Sequence, residues 1–126
     1  MTATKPKRGD QIPPPPRRDE YDLRYATKEA LAFPEVARQY PGTATELLAR
    51  LRVAPDVRSD VQKPLKGRLG TRMIRGETLP QWQYDISSGH RLWYCVDKAR
   101  RIVWFTYAGA HPLATTSQSG RAPRTR

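Results

Sequence analysis

A chain of 126 residues with 23 Lys plus Arg against 12 Asp plus Glu carries a formal net charge of +11. That is length for one modest hydrophobic core, and the charge balance of a protein that meets nucleic acid or another anionic surface. No run of 18 apolar residues is present, which argues against a membrane span, and no apolar stretch follows the N-terminal cations, which argues against a secretory signal. Cys95 is the single cysteine, so an internal disulfide and most thiolate metal sites are excluded. A cytoplasmic protein with no metal and no cofactor is expected.

Residues 1 to 20 hold the Pro13 to Pro16 run and almost nothing apolar, so they read as a disordered, basic, proline-rich arm. Such an arm serves as a solubilising tail, touches nucleic-acid phosphates, or offers prolines to a partner. Residues 114 to 126 read as a second basic tail. Residues 1 to 18 and the last six together carry eight of the cations and one acid, so the domain expected at 21 to 113 is only moderately basic.

At Tyr21 the chain changes character. Tyr21, Leu23 and Tyr25 alternate with Asp22 and Arg24, the period of a half-buried strand. Thr27 is placed to cap a helix carrying Ala30, Phe33, Val36, Ala37 and Tyr40, which Pro34 breaks and Pro41-Gly42 ends. Thr43 with Glu46 has capping-box spacing for a second helix, with Leu47, Leu48 and Leu51 as its buried stripe and Pro55 as its stop. Arg58 to Gly76 is basic and glycine-spotted, with six cations against Asp60. It reads as a loop, either merely solvated or forming a phosphate-contacting rim.

Three strands follow, at residues 81 to 86, 90 to 96 and 101 to 108. Ser87-Ser88-Gly89 joins the first two as an antiparallel hairpin, and the third is apolar on both faces, as a central strand is. An N-terminal strand and two helices packed on one face of an antiparallel sheet make a small α+β domain. Parity puts Trp82, Tyr84, Leu92, Tyr94 and Val96 under the helices and Gln83, Asp85, Arg91 and Trp93 on a face expected to be open.

Pro64-Leu65-Lys66-Gly67, then WQYDISSGHRLWYCVD at Trp82 to Asp97, then a strand ending in Gly109-Ala110-His111, resembles the RelE/ParE superfamily of toxin-antitoxin toxins, most closely the YoeB/Txe branch. The resemblance covers roughly residues 21 to 112 and is most specific at His90 to Tyr94. It implies a RelE-like fold and a metal-independent endoribonuclease that cleaves messenger RNA, mostly on the 70S ribosome, with a small acidic antitoxin as protein partner. It also implies that Arg91 holds the phosphate and that His111 is the general acid, with Lys66 and Arg68 in the segment that meets RNA. Lys63, Arg72, Arg75, Gln83 and Trp93 complete the expected RNA surface, Trp93 either stacking on a base or packing in a second core or against the antitoxin. His90 is expected to be structural.

The chain departs from the branch at four places. Lys63 stands where a glutamate precedes Pro-Leu-Lys, Pro112 where an aromatic residue follows the histidine, and Gln83 and Asp85 where relatives carry cations. Asp85, on the same parity as Arg91, is then the candidate replacement base. Two other readings keep the fold: a ParE-like gyrase inhibitor, and a non-catalytic RNA-binding relative.

Overall fold

Alternation at Tyr21, Leu23 and Tyr25 buries all three side chains, and the strand they define, β1 (Asp22–Tyr25), lies at one end of the sheet. The computed structural model describes residues 5–110. After β1 come a 3-10 turn (Glu29–Ala32), α1 (Phe33–Gln39) and α2 (Pro41–Val53). β2 (Gln62–Pro64), a second 3-10 turn (Gly67–Gly70) and β3 (Thr71–Ile74) follow, then β4 (Glu77–Asp85), β5 (His90–Asp97) and β6 (Ile102–Ala110). The domain is α+β, as expected.

Strand order is β1-β6-β5-β4-β2, with β3 pairing the first half of β4. All neighbours are antiparallel except β1 and β6, which run parallel from Asp22↔Ile102 to Tyr25↔Phe105, so the sheet is mixed rather than wholly antiparallel. β6 sits between β1 and β5, which is why its residues are apolar on both faces. A bulge between Trp93 and Tyr94 sets Thr106 out of register, so Phe105 turns to the helices and Trp104 to the far face.

Phe33 and Val36 of α1 and Ala44, Leu47 and Leu51 of α2 pack with Leu23, Tyr84, Leu92, Tyr94 and Phe105 into the main core. The parity assignment of Trp82, Tyr84, Leu92, Tyr94 and Val96 to this side holds. Thr27 accepts from Ala30 N–H at 3.1 Å and donates to Thr106 O at 2.6 Å, capping the 3-10 turn while tying it to β6.

Four expectations are corrected. Pro34 starts α1 rather than kinking it, since a proline in the first turn loses no intrahelical bond. For the same reason Pro41 begins α2 with Tyr40 as its cap, which leaves Thr43 and Glu46 inside the helix with no capping box. The basic segment is not one loop: it contributes β2 and β3, both laid along β4. Residues 5 to 20 are no free arm either. Gln11 bridges Arg24, Gly9 N–H donates to Tyr25 O at 2.6 Å, and Ile12 is buried in the main core. This segment pairs the otherwise open edge of β1. The expected tail at 114 to 126, with His111 and Pro112, lies outside the described residues.

Candidate functional site

The β4–β5 hairpin sets the geometry. Its turn is closed by Ile86 N–H to His90 O at 3.0 Å, and the Ser87 hydroxyl accepts from His90 N–H at 3.1 Å. One pair before the turn, Asp85 faces Arg91 across the strands on the side away from the helices. Arg91 Nη1 donates to Ser87 O at 2.6 Å and His90 O at 3.0 Å, so the turn itself grips the guanidinium. Arg91 Nε lies 3.2 Å from Asp85 Oδ1, close enough for an ion pair but not angled to donate a hydrogen bond. The charges attract, and the N–H direction is unused.

Asp85 is the centre of this group. Gln83 Nε2 donates to Oδ1 at 3.0 Å, and Lys63 Nζ, brought alongside by the β2–β4 pairing of Lys63 with Gln83, lies 3.7 Å from Oδ2. Side-chain exposures of 16% for Arg91, 24% for Asp85 and 43% for Lys63 make this a half-buried cluster with its lysine outermost. One carboxylate between two cations can take a proton from a hydroxyl, and the cations can hold an anionic centre once the carboxylate is displaced or protonated.

The remaining expected residues divide. Lys66 and Arg68 are exposed on the link between β2 and β3, where Gly70 is required because a Cβ there would meet Leu65 O at 2.9 Å. Arg72 and Arg75 are exposed on β3 and its turn. Because Arg72 pairs with Leu79 and Lys63 with Gln83, four residues apart on β4, the two basic groups are about 13 Å apart along the strand. The expected single rim is thus two groups.

Trp93 and Gln83 do not form part of an exposed RNA surface. Trp93 is 7% exposed, its ring is 5.7 Å from that of Tyr107, and its Nε1 donates to Gln83 Oε1 at 3.0 Å; Gln83 is likewise 7% exposed. The face expected to be open is largely closed, because the β3–β4 hairpin folds Ile74 and Leu79 onto Cys95 and Trp104 in a second, smaller core. Burial pushes the Cys95 thiol up to about 12, so it is no nucleophile at neutral pH.

His90 is structural, as expected: Nδ1 is 3.2 Å from both Tyr40 Oη and Ser87 Oγ, and the ring packs on Tyr40. His111 lies outside the described residues. It follows Ala110, which pairs with His90, and Gly109 pairs with Arg91. Among the described residues no three His, Cys, Asp or Glu side chains are grouped to hold a metal ion, and no helix is long and apolar enough to cross a membrane.

Gln62 has no signal in the sequence: wholly buried on β2, it accepts from Arg50 and donates to Ala54 O, Pro55 O and Tyr94 Oη. It ties the end of α2 to the sheet beside Lys63. Gly9-containing Lys-Arg-Gly-Asp, a turn signal, is present at residues 7 to 10. No protein-family model matches the chain, and no curated protein or solved structure matches it.

Proposed function

We propose that this protein is a RelE/ParE-type toxin, a metal-independent endoribonuclease that cleaves messenger RNA on the ribosome in the cytoplasm and is held in check by a small acidic antitoxin. The observation that carries the reading is the Lys63–Asp85–Arg91 cluster beside the strand pair Arg91↔Gly109, from which the chain runs on to His111. In this reading Asp85 takes the proton of a ribose 2′-hydroxyl, and that oxygen attacks the adjacent phosphorus. Arg91 and Lys63 bear the charge that builds on the phosphoryl oxygens. The bond to the 5′-oxygen breaks as His111 gives that oxygen a proton, leaving a 2′,3′-cyclic phosphate and a 5′-hydroxyl. The formal charge of +11 supports an acidic protein partner.

A second reading, a non-catalytic RNA-binding protein, is supported by the engagement of Arg91. With Nη1 on two carbonyls and Nε against Asp85, it offers phosphate less than a full bidentate fork. Induced expression followed by sequencing of RNA 5′ ends separates the two. Growth arrest with cuts at regular codon positions, both abolished by Arg91→Ala and by His111→Ala, is the expected result. RNA binding with steep salt dependence and no cuts would establish the second reading. A supercoiling assay in which the protein inhibits purified gyrase would replace both.

A further inference from the structure

On the same side of the sheet, away from Arg91, a cleft of about 650 Å³ opens between the N-terminal segment and β3, lined by Lys7, Arg8, Gly9, Arg72, Arg75 and Trp104 among others. No Asp or Glu lines it. Among the described residues none of its four cations forms an ion pair. Like charges gathered without ion-pair partners repel one another, the Asp10 carboxylate behind the Lys7 turn offsets this only in part, and a bound anion lowers the remaining cost.

Both walls are built to hold the cations there. On one side a turn from Lys7 to Asp10 is closed by Asp10 N–H to Lys7 O at 3.0 Å and by Lys7 N–H to Asp10 Oδ2 at 2.9 Å. It is fastened to β1 through Gly9 N–H. On the other, Arg75 and Gly76 occupy the two central positions of the β3–β4 turn with φ of 50° and 86°, the hairpin geometry that costs a non-glycine residue strain. The Arg75 guanidinium lies 4.9 Å from the Trp104 ring centre, a cation–π contact that fixes its direction. Gly9, at φ 90°, gives it room, since a Cβ there would be 3.0 Å from Nη2.

The cleft is of small-ligand size, large enough for a nucleotide. Its walls are mostly polar, so the apolar anchors on which a docked peptide depends have no seat, whereas a phosphodiester needs none. Trp104 pairs with Cys95, four residues along β5 from Arg91 on the same face, so the two sites are about 13 Å apart. A short length of extended strand spans that interval.

Resting on the RNA-binding reading above, we propose that this cleft is a second phosphate-binding site, which holds the backbone of the single-stranded RNA at a distance from the Arg91 cluster. The test is fluorescence anisotropy of the full chain with a labelled 2′-O-methyl RNA dodecamer, which has no 2′-hydroxyl to react, over a range of salt. Two double variants are compared with the wild type: R72Q/R75N, where asparagine accepts the positive φ, and K7Q/R8Q on the exposed turn. Each is expected to weaken binding by about ten-fold at low salt and to lower the slope of log affinity against log salt by about 1.4, two cations at about 0.7 each.

Wild-type affinity and slope in both double variants would overturn the proposal, and K7Q/R8Q decides it alone if R72Q/R75N does not fold. AMP or inorganic phosphate displacing the RNA at equal concentration would assign the cleft to a free nucleotide or phosphate and overturn it as well. So would an acidic peptide that binds more tightly than RNA and is lost in the same variants. Because the probe cannot be cleaved, cleft-dependent binding by a chain that makes no cuts in cells would leave this site standing while the nuclease reading fell.

Discussion

The indole N–H of Trp93 donates to Gln83 at 3.0 Å, and the amide of Gln83 donates at 3.0 Å to Asp85, so a buried aromatic residue orients the carboxylate of the candidate site. Gln83→Leu strands the indole N–H without an acceptor and is expected to cost about 1–3 kcal/mol. Lys63→Gln, at the exposed end of the same cluster, is expected to change stability by less than about 0.5 kcal/mol while weakening RNA binding. Urea denaturation of both variants, beside anisotropy with the uncleavable RNA, separates the two roles.

Asp85→Asn removes the negative charge that Arg91 and Lys63 now face. RNA binding is expected to tighten, because no carboxylate then competes with phosphate for Lys63 and for the Nε edge of Arg91, while cleavage is expected to disappear for want of a base. Binding by anisotropy and 5′-end mapping in cells check the two halves. Cleavage that survives in this variant would remove Asp85 from the mechanism.

Three buried groups prefer their neutral forms in the folded chain. Burial, then the nearby Asp10, pushes Tyr25 up to about 12; burial pushes Cys95 up to about 12; and burial raises Tyr94 as well. Each pKa is raised above its unfolded value, so the contribution to stability is fully present below the unfolded pKa and is lost as pH rises through the folded one. Stability is therefore expected to be flat with respect to these groups near neutrality and to fall from about pH 9 to 12. Urea midpoints at successive pH values measure this, and a thiol reagent should meet no reactive Cys95 until the chain unfolds.

Gln62 satisfies the carbonyls of Ala54 and Pro55 and meets the Tyr94 hydroxyl, all within the boundary between α2 and the sheet. Gln62→Leu is nearly the same size but leaves Ala54 O and Arg50 Nε without their partner, while the Tyr94 hydroxyl still donates to Pro55 O at 2.8 Å. An expected cost of about 3 kcal/mol follows from unsatisfied buried polar groups, read as a lower urea midpoint.

Much of the main core was legible because Trp82/Tyr84 and Leu92/Tyr94 alternate strictly, and a period of two admits one assignment of faces. Parity fixes direction but not exposure: Trp93 does point away from the helices, yet it packs against Tyr107, bonds to Gln83 and has little contact with water. The β3–β4 hairpin was hidden because β3 is four residues long with Thr71, Arg72 and Met73 exposed, so Ile74 and, across the turn, Leu79 are too few buried apolar residues to show a period. The N-terminal segment was equally hard to read. It joins the sheet through main-chain bonds at Gly9 and Ile12, and the single buried apolar side chain of Ile12 makes no period to read. Arg91 and Asp85 were placed together by sequence, whereas the grip of Ser87 and His90 carbonyls on Arg91 depends on the turn's particular shape.

The parallel pairing of β1 with β6 joins Asp22 to Ile102, eighty residues further on. During synthesis β1 and both helices emerge long before the strand that completes their sheet, and a contact of such sequence separation forms late and slowly. Until β6 arrives, Leu23 and Tyr25 have no neighbouring strand on that side, and β5 presents an unpaired edge. The nascent chain therefore cannot assemble the Arg91↔Gly109 pair, and any activity that depends on it begins only after nearly the whole domain has been made.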